Sequence, residues 1–302
     1  MKHLILCLIV FTLPVFVFGQ HLWNNPVGNY VYNPSSGAMS DLGELVSSYY
    51  KSYGSATNSP MGVLLMGSTT FPNDNVAAGF RISSESGGVL SNLYGELSFI
   101  YRVPLFQNSK LSFGLSGTFN QMTLQKEKIY AQHPDDPLLQ GGESGFWGDV
   151  NSGVSLYRTN VYYIGVAGYN LARQQTNWLI NDFENQASRY YTLTGMYTFN
   201  IFKGDWKWEL SGVGLAYEQK ISDINYDLSS RFIFKKSFWL GGGYTPNAVK
   251  GLFGIYFQNL AVGYAGSFGM GDVKLYTYSM TQHEIFVRLE LNTSKPSRTK
   301  KE

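Results

Sequence analysis

From Asn92 to Gln121 apolar and polar residues alternate in two runs. In the first, Leu93, Leu97, Phe99, Tyr101 and Val103 share one parity, and Glu96, Ser98 and Arg102 share the other. In the second, Leu111, Phe113, Leu115 and Phe119 oppose Ser112, Gly114, Ser116, Thr118 and Asn120. The stretch between them, 104–110, opens on proline and is polar, which marks a reversal. A period of two rather than 3.6 predicts strands. Each run is about ten residues long, the length that crosses a bilayer when the strand tilts by about 45°. Small and polar residues on one face, with carbon-rich residues on the other, is the pattern of a membrane β-barrel, where lumen and lipid alternate along each strand.

The same pattern predicts about fourteen antiparallel strands, near 43–53, 61–70, 75–84, 91–103, 111–122, 148–157, 161–169, 188–200, 207–218, 223–234, 238–245, 251–258, 260–267 and 282–291. Their connections sort by length. Those at 71–74, 104–110, 158–160, 201–206, 235–237 and 259 are short, whereas 123–147, 170–187 and 268–281 all fall on the opposite side. Short periplasmic turns and long extracellular loops are the outer-membrane barrel arrangement. Strand parity then places Arg81, Glu96, Arg102, Asp227, Arg231, Glu284 and Arg288 in the lumen, because an arginine on the lipid face at mid-depth would cost about 2–4 kcal/mol. Such charges either pair and fill the interior or line a conducting path; pairing is the plainer reading.

The chain flanking the strands divides into three further parts. Residues 1–19 carry Lys2 followed by an apolar core and read as a signal peptide, with Gln20 as the expected mature start. Cys7 lies inside that core, so the mature chain holds no cysteine for a disulfide, a thiolate site or a nucleophile. Residues 20–42 are rich in Asn, Pro, Gly and Ser, which predicts an extended, plug-like periplasmic segment. Residues 292–302 form a basic tail expected to be disordered, with the barrel spanning 43–291. Charged residues make up only 15% of the chain, below the roughly 25% of soluble domains, and aromatics reach 16%, which suits interfacial girdles. The net charge of +2 is not clustered, which argues against a nucleic-acid partner and leaves outer-membrane lipid as the expected surroundings.

Little in the chain suggests chemistry. His21, His133 and His283 are scattered, and no HExxH or GxSxG occurs. Ser48-Tyr49-Tyr50-Lys51 has the form S-x-x-K, but it sits on a strand and lacks companion motifs. Gly266, Gly269 and Gly271 near Asp272 imitate a phosphate loop with no helix behind it. Asp135 and Asp136, followed by Pro137 and with Glu143 nearby, offer carboxylates for calcium in the long middle loop, though they read more plainly as a turn. No cofactor, metal site or catalytic residue is therefore assigned, and the chain is expected not to be an enzyme.

Several segments, taken in order, resemble one family. Asn24-Asn25-Pro26 with Tyr30-Val31-Tyr32-Asn33-Pro34-Ser35-Ser36-Gly37-Ala38 is similar to the "NP…YNPA.AG" opening of PorP/SprF proteins. Asp135-Asp136-Pro137 resembles the family's "DP" loop, and 188–197 its "R.Y…GY.F" strand. The close, Val262-Gly263-Tyr264-Ala265 through Thr281-Gln282-His283-Glu284-Ile285, looks like "GYSYD…" followed by "SHEI". The resemblance implies a fourteen-stranded outer-membrane barrel that works with type IX secretion and gliding motility. Its implied partners are a periplasmic ring, a peptidoglycan-binding component, and a secreted adhesin or that adhesin's C-terminal domain. The expected function is docking that machinery and anchoring or helping to export such a surface protein. Expected partner contacts are Asp135 and Asp136 outside, and Tyr32, Asn33, Pro34, Lys235 and Lys236 on the periplasmic side. Two other readings stand beside it: a passive channel or small-solute transporter, resting on the polar inward faces, and a barrel hydrolase, which would need an inward catalytic group.

Overall fold

A strand in hydrocarbon has no water to satisfy its backbone N–H and C=O groups, so a spanning sheet must close on itself. This chain does so. In the computed structural model, which describes residues 28–40, 43–53, 59–71, 75–129, 144–173, 175–176, 185–201, 205–270 and 281–291, fourteen antiparallel strands form a closed barrel. They are β1 (Gly43–Tyr53), β2 (Met61–Thr70), β3 (Val76–Gly87), β4 (Leu90–Pro104), β5 (Lys110–Leu124), β6 (Ser144–Arg158), β7 (Tyr162–Tyr169), β10 (Tyr190–Ile201), β11 (Trp206–Tyr217), β12 (Lys220–Phe234), β13 (Phe238–Thr245), β14 (Ala248–Phe257), β15 (Leu260–Gly269) and β16 (Thr281–Leu291). Two short strands, β8 (Gln175–Thr176) and β9 (Asn185–Gln186), form a separate ladder in the connection between β7 and β10. Each barrel strand pairs with its sequence neighbour, and β1 pairs with β16 from Gly43↔Leu291 to Tyr53↔Thr281, which seals the sheet. No described helix is long and apolar enough to cross a membrane.

Parity holds along the strands. On β4 and β5, Leu97, Phe99, Tyr101, Phe113 and Leu115 are exposed on the outer surface, while Glu96, Ser98, Arg102, Ser112 and Ser116 are buried inside. On β12, Ile224, Tyr226, Leu228 and Phe232 point out, and Asp227, Ser229 and Arg231 point in. On β16, Ile285, Val287 and Leu291 face out around the fully buried Phe286 and Glu284.

The short turns require left-handed backbone, because tight hairpins that match the twist of the strands need positive φ. Lys235 and Lys236 both have positive φ (44° and 53°) between β12 and β13, with Ser237 N donating to Phe234 O at 2.7 Å. Asn160 and Gln258 supply the same geometry in two other short turns.

Residues 28–40 do not join the wall. Expected to be extended, they instead make one helical turn, α1 (Asn29–Tyr32), and a 3-10 turn at Pro34–Ser36. The cause is local: with no strand to pair with, buried N–H groups bond back along the segment, Val31 N to Gly28 O at 2.9 Å and Asn33 N to Asn29 O at 3.0 Å. The segment packs inside the barrel against β4, β5, β6, β7 and β10.

Leu97 is 72% exposed at the middle of β4. Leu97→Arg is expected to lower stability by about 2–4 kcal/mol in urea titrations of vesicle-embedded protein; a cost of only ~0–1 kcal/mol would place this position near an interface instead.

Candidate functional site: the plug and its seat

The segment 28–40 is held by side chains of the wall, and mostly by its own main-chain carbonyls. Val31 O accepts from Arg81 Nη1 at 2.8 Å and from the Tyr169 hydroxyl at 3.0 Å. Thr192 Oγ1 donates to Tyr32 O at 2.6 Å, and Ser112 Oγ to Ser35 O at 2.7 Å. Arg102 Nη1 reaches Ala38 O at 2.8 Å, and Thr159 Oγ1 reaches Met39 O at 3.0 Å. The plug's side chains bond to the wall as well, including Ser35 Oγ to Ser155 Oγ at 2.9 Å. The Tyr30 hydroxyl sits 2.6 Å from Ser98 Oγ, and Asn33 Nδ2 donates to Val154 O and Val166 O at 3.2 and 3.3 Å. The other end of that amide, Asn33 Oδ1, accepts from Ser35 N at 2.9 Å and Ser35 Oγ at 2.7 Å, which folds the 3-10 turn.

Glycines on the inner wall make room for this contact. A Cβ at Gly153 would lie 2.1 Å from Asn33 Oδ1, one at Gly165 2.4 Å from Asn33 Nδ2, and one at Gly114 2.4 Å from Ser35 N. Only residues without a side chain permit so close an approach. On the opposite wall the solution is reversed. Trp239 of β13 lies over Gly254 and Gly263 and packs on Phe286 with ring centroids 5.9 Å apart. Tyr30, Val31, Tyr32 and Ala38 of the plug join Val46, Ala77, Ile233, Trp239, Ala261 and Phe286 in a single buried apolar cluster. At this level the interior is filled from wall to wall.

Charges occupy several of the remaining inner positions, and many of them pair. Arg81 meets Glu96 at 2.6 Å and also donates to the Tyr94 hydroxyl, with its guanidinium 4.4 Å from that ring's centre. Arg231 Nε meets Glu209 Oε1 at 2.7 Å. Lys250 Nζ contacts both oxygens of Asp227 at 2.6 Å. Arg288 bridges Glu44 at 3.2 Å and Glu290 at 3.5 Å, and Glu284 Oε1 accepts from Ser48 Oγ at 2.6 Å. The partners Glu209, Lys250 and Glu44 were not singled out from the sequence. Their inward parity was readable, but which strands face each other inside a barrel is fixed only by register.

Tyr32, Asn33 and Pro34, expected at a partner surface, are buried in the lumen and engaged with the wall. Lys235 and Lys236 lie at the exposed β12–β13 turn, where Lys235 Nζ is 3.4 Å from Asp205 Oδ2. Asp135 and Asp136, the expected leader 1–19 and the expected disordered tail 292–302 lie outside the described residues. Ser48 and Lys51 of the S-x-x-K run are on β1, with Ser48 hydrogen-bonded to Glu284 rather than to a base. Among the described residues, no three His, Cys, Asp or Glu converge as a metal site.

A closed fourteen-stranded barrel with an apolar outside and a filled, charge-paired inside is an outer-membrane β-barrel protein. Residues 20–289 match the family described as type IX secretion system membrane protein PorP/SprF, and the chain belongs to that family. It is thus an outer-membrane component of the type IX secretion system. Comparison with curated protein sequences gives no match. Among solved structures, the fold is similar to the Pseudomonas putida toluene transporter TodX, with 11% identity over 88% of this chain and 94% of that one at a TM-score of 0.52. It is also similar to the CymD monoaromatic hydrocarbon channel, with 10% identity over 83% and 89% and a TM-score of 0.54. At such identities the likeness is one of fold.

Removing one member of a buried ion pair strands the other charge. Asp227→Asn is therefore expected to cost about 3–5 kcal/mol in urea unfolding, while Asp227→Leu with Lys250→Met recovers most of that loss. Equal losses in the single and double variants would mean that Lys250 is not held by Asp227.

Proposed function

We propose that this protein is a non-enzymatic docking component of the type IX machinery. It holds periplasmic parts of that machinery at its short-turn end and anchors, or helps to export, a secreted surface protein such as an adhesin at its long-loop end. The observation that carries this reading is the filled lumen. A barrel whose interior is occupied by segment 28–40 and the Trp239–Phe286 cluster offers its two ends, rather than its bore, as working surfaces. The two ends differ in kind. One is a set of tight turns, including the exposed Lys235 and Lys236. The Lys235–Asp205 contact is solvent-exposed and contributes little, so these ammonium groups remain available to an acidic periplasmic partner. The other end carries every long connection, including the one with Asp135 and Asp136, and these loops would meet the secreted partner.

The second reading is a passive channel. Its support is the polar inner face toward the long loops, where Thr118, Asn120, Asp149 and Asn151 are buried, and the barrel likeness to TodX and CymD, described as a toluene transporter and a hydrocarbon channel.

Affinity capture of a tagged chain from outer membranes should recover secretion-machinery proteins, and Lys235→Glu with Lys236→Glu should reduce the periplasmic ones at least several-fold. Capture that is the same with and without the charge reversal removes the short-turn end from the docking surface. In planar bilayers the wild-type protein should be electrically silent; steady open-channel steps would favour the second reading.

A further inference from the structure

The way the plug is held differs from the way the wall is built. Segment 28–40 bonds main chain to main chain within itself, from Val31 N to Gly28 O, Asn33 N to Asn29 O and Ser36 N to Asn33 O. The wall reaches it with side chains, and six of those bonds end on carbonyls of Val31, Tyr32, Ser35, Ala38 and Met39. Carbonyl recognition reads the path of a peptide and not its side chains, which is how grooves capture peptides. Sequence is read most closely at Asn33, whose amide sits between two wall carbonyls where Gly153 and Gly165 make room, with further side-chain contacts from Tyr30 to Ser98 and from Ser35 to Ser155. The segment itself is uncharged from Gly28 to Ser40, although the lumen around it is rich in charge. It also carries its own turn, since Asn33 Oδ1 accepts from Ser35 N and Oγ, so less order must be imposed on binding. At its far end Ala38 takes the left-handed conformation at φ 54°, unfavourable for a residue with a Cβ, while Ser68 Oγ accepts its N–H and Arg102 holds its carbonyl. That elbow is strained while the plug is seated.

We propose that the inner wall of β4–β7 and β10 is a peptide-binding seat, and that residues 28–40 are its tethered, displaceable ligand. The seat accepts in trans a short, uncharged, turn-forming peptide with an Asn-Pro-Ser core. This inference shares with the docking reading the observation that segment 28–40 fills the lumen, but it concerns how that segment is held and not the two ends. The tether gives the chain's own segment a local concentration of about millimolar, so an outside peptide competes poorly until the resident segment is weakened.

The test uses the purified full chain in detergent and a fluorescent peptide with the sequence of residues 28–40, followed by anisotropy. Three chains are compared: wild type, Asn33→Ala, and Ser35→Cys with Ser155→Cys, whose hydroxyls are 2.9 Å apart and whose thiols lock the segment in place when oxidised. Asn33→Ala is expected to bind the peptide at least tenfold more tightly than wild type. The oxidised double-cysteine chain should not bind it, and reduction should restore wild-type behaviour. A peptide carrying alanine at the asparagine should bind the Asn33→Ala chain at least tenfold more weakly than the natural peptide. Heat-modifiable mobility in gels verifies that each barrel is folded. Should Asn33→Ala not fold, Tyr30→Phe, which removes the hydroxyl that contacts Ser98, weakens the resident segment more gently and should still gain several-fold. Equal binding to all three chains, binding to the locked chain, or no binding to any folded variant would overturn the proposal.

Discussion

Backbone closure in a medium without hydrogen-bond partners governs the rest of this molecule. Each unpaired N–H or C=O in hydrocarbon costs several kcal/mol, and an open sheet edge would leave a whole row of them. The pairing of β1 with β16 removes that edge. Closure then fixes parity, because alternate side chains of every strand must enter either lipid or a shared interior. Leucines such as Leu97 and phenylalanines such as Phe99 take the first environment. Serine, glycine and the charged residues take the second.

The interior this creates must be satisfied as well as enclosed. Its walls solve the problem in two ways. Over β13 to β16 the chain puts large rings, Trp239 and Phe286, against bare glycines. Over β4 to β7 it leaves glycines and hydroxyls and imports a separate segment to cover them. Several of the charges satisfy one another, with Asp227 and Lys250 wholly buried against each other. Pairs of this kind add little net stability, but once present they cannot be separated cheaply. Membership of the PorP/SprF family gives such a sealed body a place in the outer-membrane part of type IX secretion.

The wall was legible in the sequence because its signal is repeated. A period of two in strand after strand, with all the long connections on one side, specifies a barrel without knowledge of any contact. Strand ends were less legible: β6 begins at Ser144 rather than 148, and β12 at Lys220 rather than 223. Of the interior, the parity of Arg81, Glu96 and Arg231 was readable, but not that Glu209 would face Arg231 or Lys250 face Asp227, since these depend on register. Segment 28–40 reads as extended in the sequence but folds into short turns, with Tyr32, Asn33 and Pro34 buried in the lumen. Composition marked it as irregular, yet the carbonyls that hold it belong to no side-chain pattern. The trace it left lies elsewhere, in inward glycines such as Gly153 and Gly165, spaced where a polar side chain was to be expected.

Closure itself is most directly tested by joining the first strand to the last. Ser47 and Val287 are directly opposed across β1 and β16, and Cys7 is the chain's one cysteine. The account predicts that Ser47→Cys with Val287→Cys forms an intramolecular disulfide in membranes, giving a circular product that stays compact in gels after heating. A pair that stays reduced, or that links only between molecules, would contradict a barrel sealed at this seam.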